Sequence, residues 1–88
     1  MKTRPEYMLR KVVEVYVILG IGSAAYAPNE VMSLNETGAL LWRLLEKGAD
    51  REALVAALLG EYDVGRDAAE KDVDAFLAQL AEKDLLEG

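Results

Sequence analysis

The 88-residue chain has no cysteine and no histidine. Without cysteine it forms no disulfide and no thiolate metal site. Without histidine it lacks the side chain that most often serves as a general base near neutral pH and most often ligates a metal. Long apolar runs are missing too. The best candidate, Val12 to Ala27, is interrupted by Glu14, Gly20 and Gly22, short of the roughly 18 continuous apolar residues of a membrane span. Lys2 and Arg4 lie near the N-terminus, but charge punctuates the stretch that follows, so a signal peptide is not expected. The expected location is the cytoplasm, with no membrane association.

Positive charge is scarce as well. Lys and Arg number 10 against 16 Asp and Glu, a formal net charge of −6. The deficit is local: residues 1–35 carry four basic and three acidic groups, whereas residues 36–88 carry six basic and thirteen acidic ones, net −7. A nucleic-acid backbone is bound by cations that displace its counterions, so the second part of the chain would repel it. A basic peptide or protein surface is the better electrostatic match.

What is present suffices for one domain, residues 1–88. Apolar residues make up 52% of the chain, which favours folding over disorder. A chain of this size buries about 60–65% of its unfolded surface, leaving room for one core and for no large internal active site. Apolar and β-branched residues predict a first strand from Tyr7 to Val13 and a second from Val15 to Gly20. Gly20, Gly22, Pro28 and Asn29 then mark an irregular connection, with space for one helical turn over Ser23–Ala27. A third strand is expected over Glu30–Leu34.

The period then switches. Leu40, Leu41, Leu44 and Leu45 recur at helical spacing, with Trp42 beside them. Asn35 stands at the switch, where its side-chain oxygen can accept from the orphan N–H groups of the first turn, and Glu36 places negative charge at the positive end of the helix dipole. The first helix runs from Glu36 to Lys47 and stops at Gly48. Asp50 can cap a second helix with Leu54, Val55, Leu58, Leu59 and Tyr62 on its apolar face. After Gly65, Asp67 and Glu70 have the spacing of a capping box, opening a third helix with Ala69, Val73, Phe76, Leu77 and Leu80 on one side. Trp42, Tyr62 and Phe76 read as core residues, and Met32 as core or groove lining. The expected fold is α+β and winged helix-turn-helix-like: a three-stranded antiparallel sheet followed by three helices.

Two motifs are decoys. Gly20-Ile21-Gly22-Ser23-Ala24-Ala25 matches a dinucleotide fingerprint, but Pro28 and Asn29 end any helix within two turns, and no chain remains for the βαβ units such a site needs. Ser33, in Met32-Ser33-Leu34, lacks the Asp-Ser-Leu helix start of an acyl carrier. The carboxylates Asp67, Glu70, Asp72 and Asp74 have the spacing of a solvated helix face rather than a converging metal site. No catalytic residue, metal or cofactor is expected.

Leu34-Asn35-Glu36-Thr37-Gly38-Ala39 followed by Trp42 resembles the LNxTGAxxW core of the PqqD family, small proteins named for pyrroloquinoline quinone biosynthesis and also called RiPP recognition elements. The flanking pattern agrees: a β-rich start with Leu9-Arg10, Glu61-Tyr62-Asp63-Val64 after the second helix, Asp72-Val73 and Phe76-Leu77-Ala78-Gln79-Leu80 in the third, and Leu85-Leu86 near the end. The sequence departs at Asp84, where the family often has a glycine. The resemblance implies a non-catalytic module that captures the leader segment of a ribosomally made precursor peptide as an added strand. It then presents the precursor to a modifying enzyme, often a radical SAM protein. Carried onto this chain, the edge strand is Val31, Met32, Ser33 and Leu34, and the helix wall includes Asp72, Val73, Ala75, Phe76, Gln79 and Lys83. Asp72 is the expected contact for a basic leader residue. A monomer or weak homodimer is expected. The alternatives are a winged-helix DNA-binding regulator, disfavoured by the acidic third helix, and a small homodimeric assembly subunit.

Overall fold

The computed structural model describes residues 1–20 and 32–87. Two short strands not expected from the sequence bracket the fold. β1 (Lys2–Thr3) pairs antiparallel with β5 (Leu86–Glu87), joining the two ends of the described chain. Between them come β2 (Tyr7–Val12), β3 (Val15–Gly20), β4 (Met32–Leu34), α1 (Glu36–Lys47), α2 (Arg51–Glu61) and α3 (Arg66–Glu82). The expected order of three strands and three helices is therefore present, in an antiparallel sheet ordered β2-β3-β4. Glu30 and Val31, the turn expected over Ser23–Ala27, and the Gly22–Asn29 connection lie outside the described residues.

β2 and β3 form a tight hairpin in which Val12 pairs with Val15. Val13, expected in the strand, is instead in the turn with φ 58°, a conformation costly for a β-branched side chain. β4 continues the sheet, with Tyr16 opposite Leu34 and Ile18 opposite Met32. Those four residues share one face of the sheet because side chains alternate along a strand. That face meets the helices: Ile18, Met32 and Leu34 are buried with Leu41, Trp42 and Leu45 of α1, Leu54, Val55 and Leu58 of α2, and Ala69, Val73, Phe76 and Leu80 of α3. Leu59, expected on the buried face of α2, is 36% exposed.

The helix ends explain themselves locally. Asn35 Oδ1 accepts from the Gly38 N–H at 2.8 Å, and Asp50 Oδ1 accepts from the Ala53 N–H at 2.8 Å, so both expected N-caps are formed. Gly48, with φ 92°, ends α1 and donates its N–H to the Leu45 carbonyl. The expected capping box at Asp67 is not formed. The ladder of α3 starts two residues earlier, where the Ala69 N–H reaches the Gly65 carbonyl, so Gly65 is the cap and Asp67 lies inside the first turn. Glu70 instead accepts from the Arg66 side chain at 2.8 Å.

Asp84 gives a physical account of its own departure from the family pattern. Its φ is 57°, and the Leu85 N–H bonds to the Leu80 carbonyl while the Asp84 N–H bonds to that of Ala81. This is a Schellman motif with Asp84 at the left-handed position usually held by glycine. Aspartate tolerates that region better than most residues. Its side chain adds what glycine cannot: Arg4 Nη2 pairs with Asp84 Oδ1 at 2.9 Å and Arg4 Nε donates to the Asp84 carbonyl at 2.9 Å.

Three ion pairs bind α2 to α3. Arg51 grips Asp74 through two bonds of 2.7 and 3.0 Å and approaches Glu70 at 3.6 Å, and Arg66 joins Glu52 at 2.6 Å, while within α3 Arg66 also holds Glu70 at 2.8 Å. The Arg51 guanidinium, first by hydrogen bonding, holds the Asp74 carboxyl below its usual range and is itself raised. A depressed carboxylate contributes stability that is present above its unfolded pKa, about 3.9, and lost as pH falls through its folded value. Asp74→Asn is therefore expected to lower the melting temperature slightly at neutral pH. The two proteins should converge in acid below the folded pKa. A gap that persists or widens there, in paired thermal melts across pH, would assign the effect to packing.

Candidate functional site

The site grows out of the Leu34–Gly38 corner. β4 hydrogen-bonds only to β3 among the described strands, so its other edge is open as far as those residues go. The chain turns directly from that edge into α1, with no intervening loop beyond Asn35. This close turn depends on Gly38. A Cβ there would lie 3.2 Å from Leu34 Cβ, 3.3 Å from Leu34 Cδ2 and 3.4 Å from Asn35 Oδ1, tighter than ordinary van der Waals contact.

Opposite the open edge stands α3, and a groove runs between them. One cavity of about 370 Å³ is lined by Ser33, Leu34 and Asn35 of the corner, Thr37, Gly38 and Leu41 of α1, and Asp72, Ala75, Phe76 and Gln79 of α3. A second of about 390 Å³ continues it past Ser33 and Gln79 to Met32, Glu82 and Lys83. On α3 the lining positions 72, 75, 76, 79, 82 and 83 follow the three-to-four spacing of one helix face. The floor is apolar: Leu34 is 8% exposed, Leu41 1% and Phe76 7%. Ser33, Asp72, Ala75 and Gln79 are exposed.

Of the residues expected at the site, Met32, Ser33, Leu34, Asp72, Ala75, Phe76, Gln79 and Lys83 all border this groove. Val31 lies outside the described residues. Val73 is corrected: it is fully buried in the core and lines neither cavity. It sits one position off the groove stripe, on the face that meets the sheet and the other helices. Met32 and Phe76 serve both settings, buried in the core and bordering the groove. Sequence reasoning missed the α1 side, Thr37, Gly38 and Leu41, and also Glu82. The signal was available: Thr37 and Leu41 are four apart, so they share a helix face with the corner. Ser33 lies within β4, not at a helix start, which removes the carrier-protein setting.

Nothing in this arrangement is a metal centre: no group of three or more Asp or Glu among the described residues is placed to hold an ion. Two of the acidic residues expected to be solvated, Glu70 and Asp74, are instead tied to Arg66 and Arg51. Asp72 is different. Among the described residues it is the only charged one in the first cavity, and no ion pair engages it there.

The groove is thus an open sheet edge facing a helix across an apolar floor. Such an edge offers unpaired N–H and C=O groups to an extended segment, and the floor accepts alternate side chains. This is the geometry of a groove that can receive an extended segment beside β4. The chain belongs to the family described as Coenzyme PQQ synthesis protein D (PqqD), whose model matches residues 16–86.

Two solved structures are similar over almost the whole chain. "TbiB1 in Complex with the TbiA(beta) Leader Peptide" is 33% identical, covers 100% of this chain and 96% of its own, and superposes with a TM-score of 0.79. "Lasso peptide synthetase B1 complexed with the leader peptide" is 29% identical, covers 99% and 96%, and has a TM-score of 0.76. No curated protein matches this chain.

The geometry separates stability from binding at the corner. Gly38→Ala is expected to destabilise by about 1–3 kcal/mol, the usual cost of forcing an extra methyl into a packed site. Asn35→Ala is expected to cost about 0.5–2 kcal/mol through loss of the cap. Urea denaturation of both variants is the check. An unchanged midpoint for Gly38→Ala would mean that the corner relaxes and that no close approach is required there.

Proposed function

We propose that this protein is a non-catalytic module that captures the leader segment of a ribosomally synthesised precursor peptide. The leader adds as a strand to the open edge of β4, with alternate side chains entering the groove against α3. The observation that carries this reading is the open β4 edge facing the apolar floor formed by Leu34, Leu41 and Phe76. The reading is supported by the two similar structures, each described as bound to a leader peptide, and by membership of the PqqD family.

Delivery to a modifying enzyme completes the proposal. A radical SAM enzyme is the partner implied by family resemblance, whereas one similar structure is described as lasso peptide synthetase B1 complexed with the leader peptide. The proposed partner class is therefore the peptide-modifying enzyme that acts on the captured precursor. The DNA-regulator alternative gains no support from α3. Arg66 is engaged by Glu52 and Glu70, and the remaining cations Lys71 and Lys83 stand among Asp67, Asp72 and Glu82, a poor surface for phosphate.

Titration of the isotope-labelled protein with a synthetic leader from a neighbouring precursor gene should shift the backbone amides of β4 and α3 together. Shifts confined to α2 and the outer turns would sink strand addition at this edge. In the same samples the peptide mass should stay unchanged on prolonged incubation. A reproducible mass change from this chain alone would overturn the non-catalytic part of the proposal.

A further inference from the structure

The groove has two ends of different character, and resting on the peptide-binding reading above, we propose that the Asp72 end is a subsite for a cationic side chain, Arg or Lys, of the bound peptide. Three observations converge. The floor at this end is apolar, made by Leu34, Leu41 and Phe76. Among the described residues its rim carries one charged group, Asp72. That carboxylate has no ion-pair partner among the described residues, whereas Glu70 and Asp74 on the same helix are held by arginines of 3.6 Å or closer approach.

An occupant must therefore be long and apolar along its stem and positive at its tip. Arg and Lys have this form, laying their methylene stems on apolar surface while the head stays at the wet rim. The direction of the peptide's side chains agrees. Met32 and Leu34 of β4 are buried and Ser33 is exposed, so a strand added beside β4 sends every second side chain inward over the floor. The opposite end lacks this definition, because Glu82 and Lys83 line it together and offer both signs.

One effect opposes the assignment. The first turn of α1 lines the same cavity, and its positive end is equivalent to roughly half an elementary charge. Asp72 carries a full negative charge, and Glu36 in that first turn carries another. The local field therefore favours a cation.

The test uses phage-displayed random peptides of about twelve residues, long enough when extended at about 3.3 Å per residue to match the molecule's 40 Å longest axis. They are selected in parallel on the full-length wild type, Asp72→Asn and Asp72→Lys. Asp72 is exposed, so all three should fold alike, which circular dichroism verifies. The wild type should enrich Arg or Lys at one position, Asp72→Asn should lose that preference, and Asp72→Lys should enrich Asp or Glu at the same position. With one selected peptide and its Glu-substituted twin, Kd from fluorescence anisotropy should invert by about tenfold between wild type and Asp72→Lys, about 1.4 kcal/mol. Enrichment of a neutral residue by the wild type, or of the same residue by wild type and Asp72→Lys, would overturn the cationic subsite and leave peptide capture standing. If the wild type enriches no peptide, peptide capture fails and the subsite fails with it.

Discussion

The contact between Leu34 and Gly38 organises this molecule. A strand ends and a helix begins within one residue, and the two can be so close only because Gly38 has no side chain to place against Leu34 Cβ and Cδ2. Asn35 then satisfies the Gly38 N–H that the tight turn would otherwise leave without a partner. Leu34 points into the core beside Trp42 and Leu41, so the corner is held from within as well. The result is that the open edge of β4 and the first turns of α1 form one rigid wall. A longer connection would let the strand move independently of the helix, and the groove would lose its fixed width.

How much of this was legible depends on how local the cause was. The two N-caps, the stop at Gly48, the β2–β3 hairpin and the helices follow from residues within one or two turns of the feature they explain. β1 and β5 do not. Each is two residues long, too short for any periodicity, and each exists because Thr3 and Leu86 meet across almost the whole sequence. The start of α3 was misjudged for a subtler reason. Asp67 and Glu70 have the right spacing for a capping box, but Gly65 offers its carbonyl to the ladder first, and Arg66 takes Glu70 for itself.

At the site the same distinction applies. β4 and most of the α3 stripe were readable through the family motif and the helical period. Val73 was misplaced because groove and core faces adjoin on α3, and one position rotates a side chain by about 100°. Thr37, Gly38 and Leu41 were missed because they read as capping and core residues, which they are, while also bordering the groove. The acidic surface was also only half understood from composition. Its carboxylates include those that clamp α2 to α3, Glu52, Glu70 and Asp74, and Asp72, which faces the groove. Charge counting cannot make that division, because it depends on where Arg51 of α2 meets α3 and where Arg66 of α3 meets α2.

The described part of the β4 edge bears on what kind of binder this fold can be. Its three residues, Met32–Leu34, present unpaired backbone of the kind that pairs with another strand. They also set what backbone pairing along this stretch can contribute. Hydrogen bonds alternate sides along a strand, so such an edge offers only about two to four to an added peptide, each worth about 0.5–1.5 kcal/mol net. That sum is at most about 6 kcal/mol before any cost of ordering the peptide, whereas micromolar affinity needs about 8 kcal/mol. The remainder has to come from side chains buried over Leu34, Leu41 and Phe76, at about 25 cal/mol per Å² of apolar surface, and from polar contacts at the rim. Affinity along this stretch of edge therefore depends on the side chains it selects, and the groove that selects them is part of the binding energy rather than an addition to it.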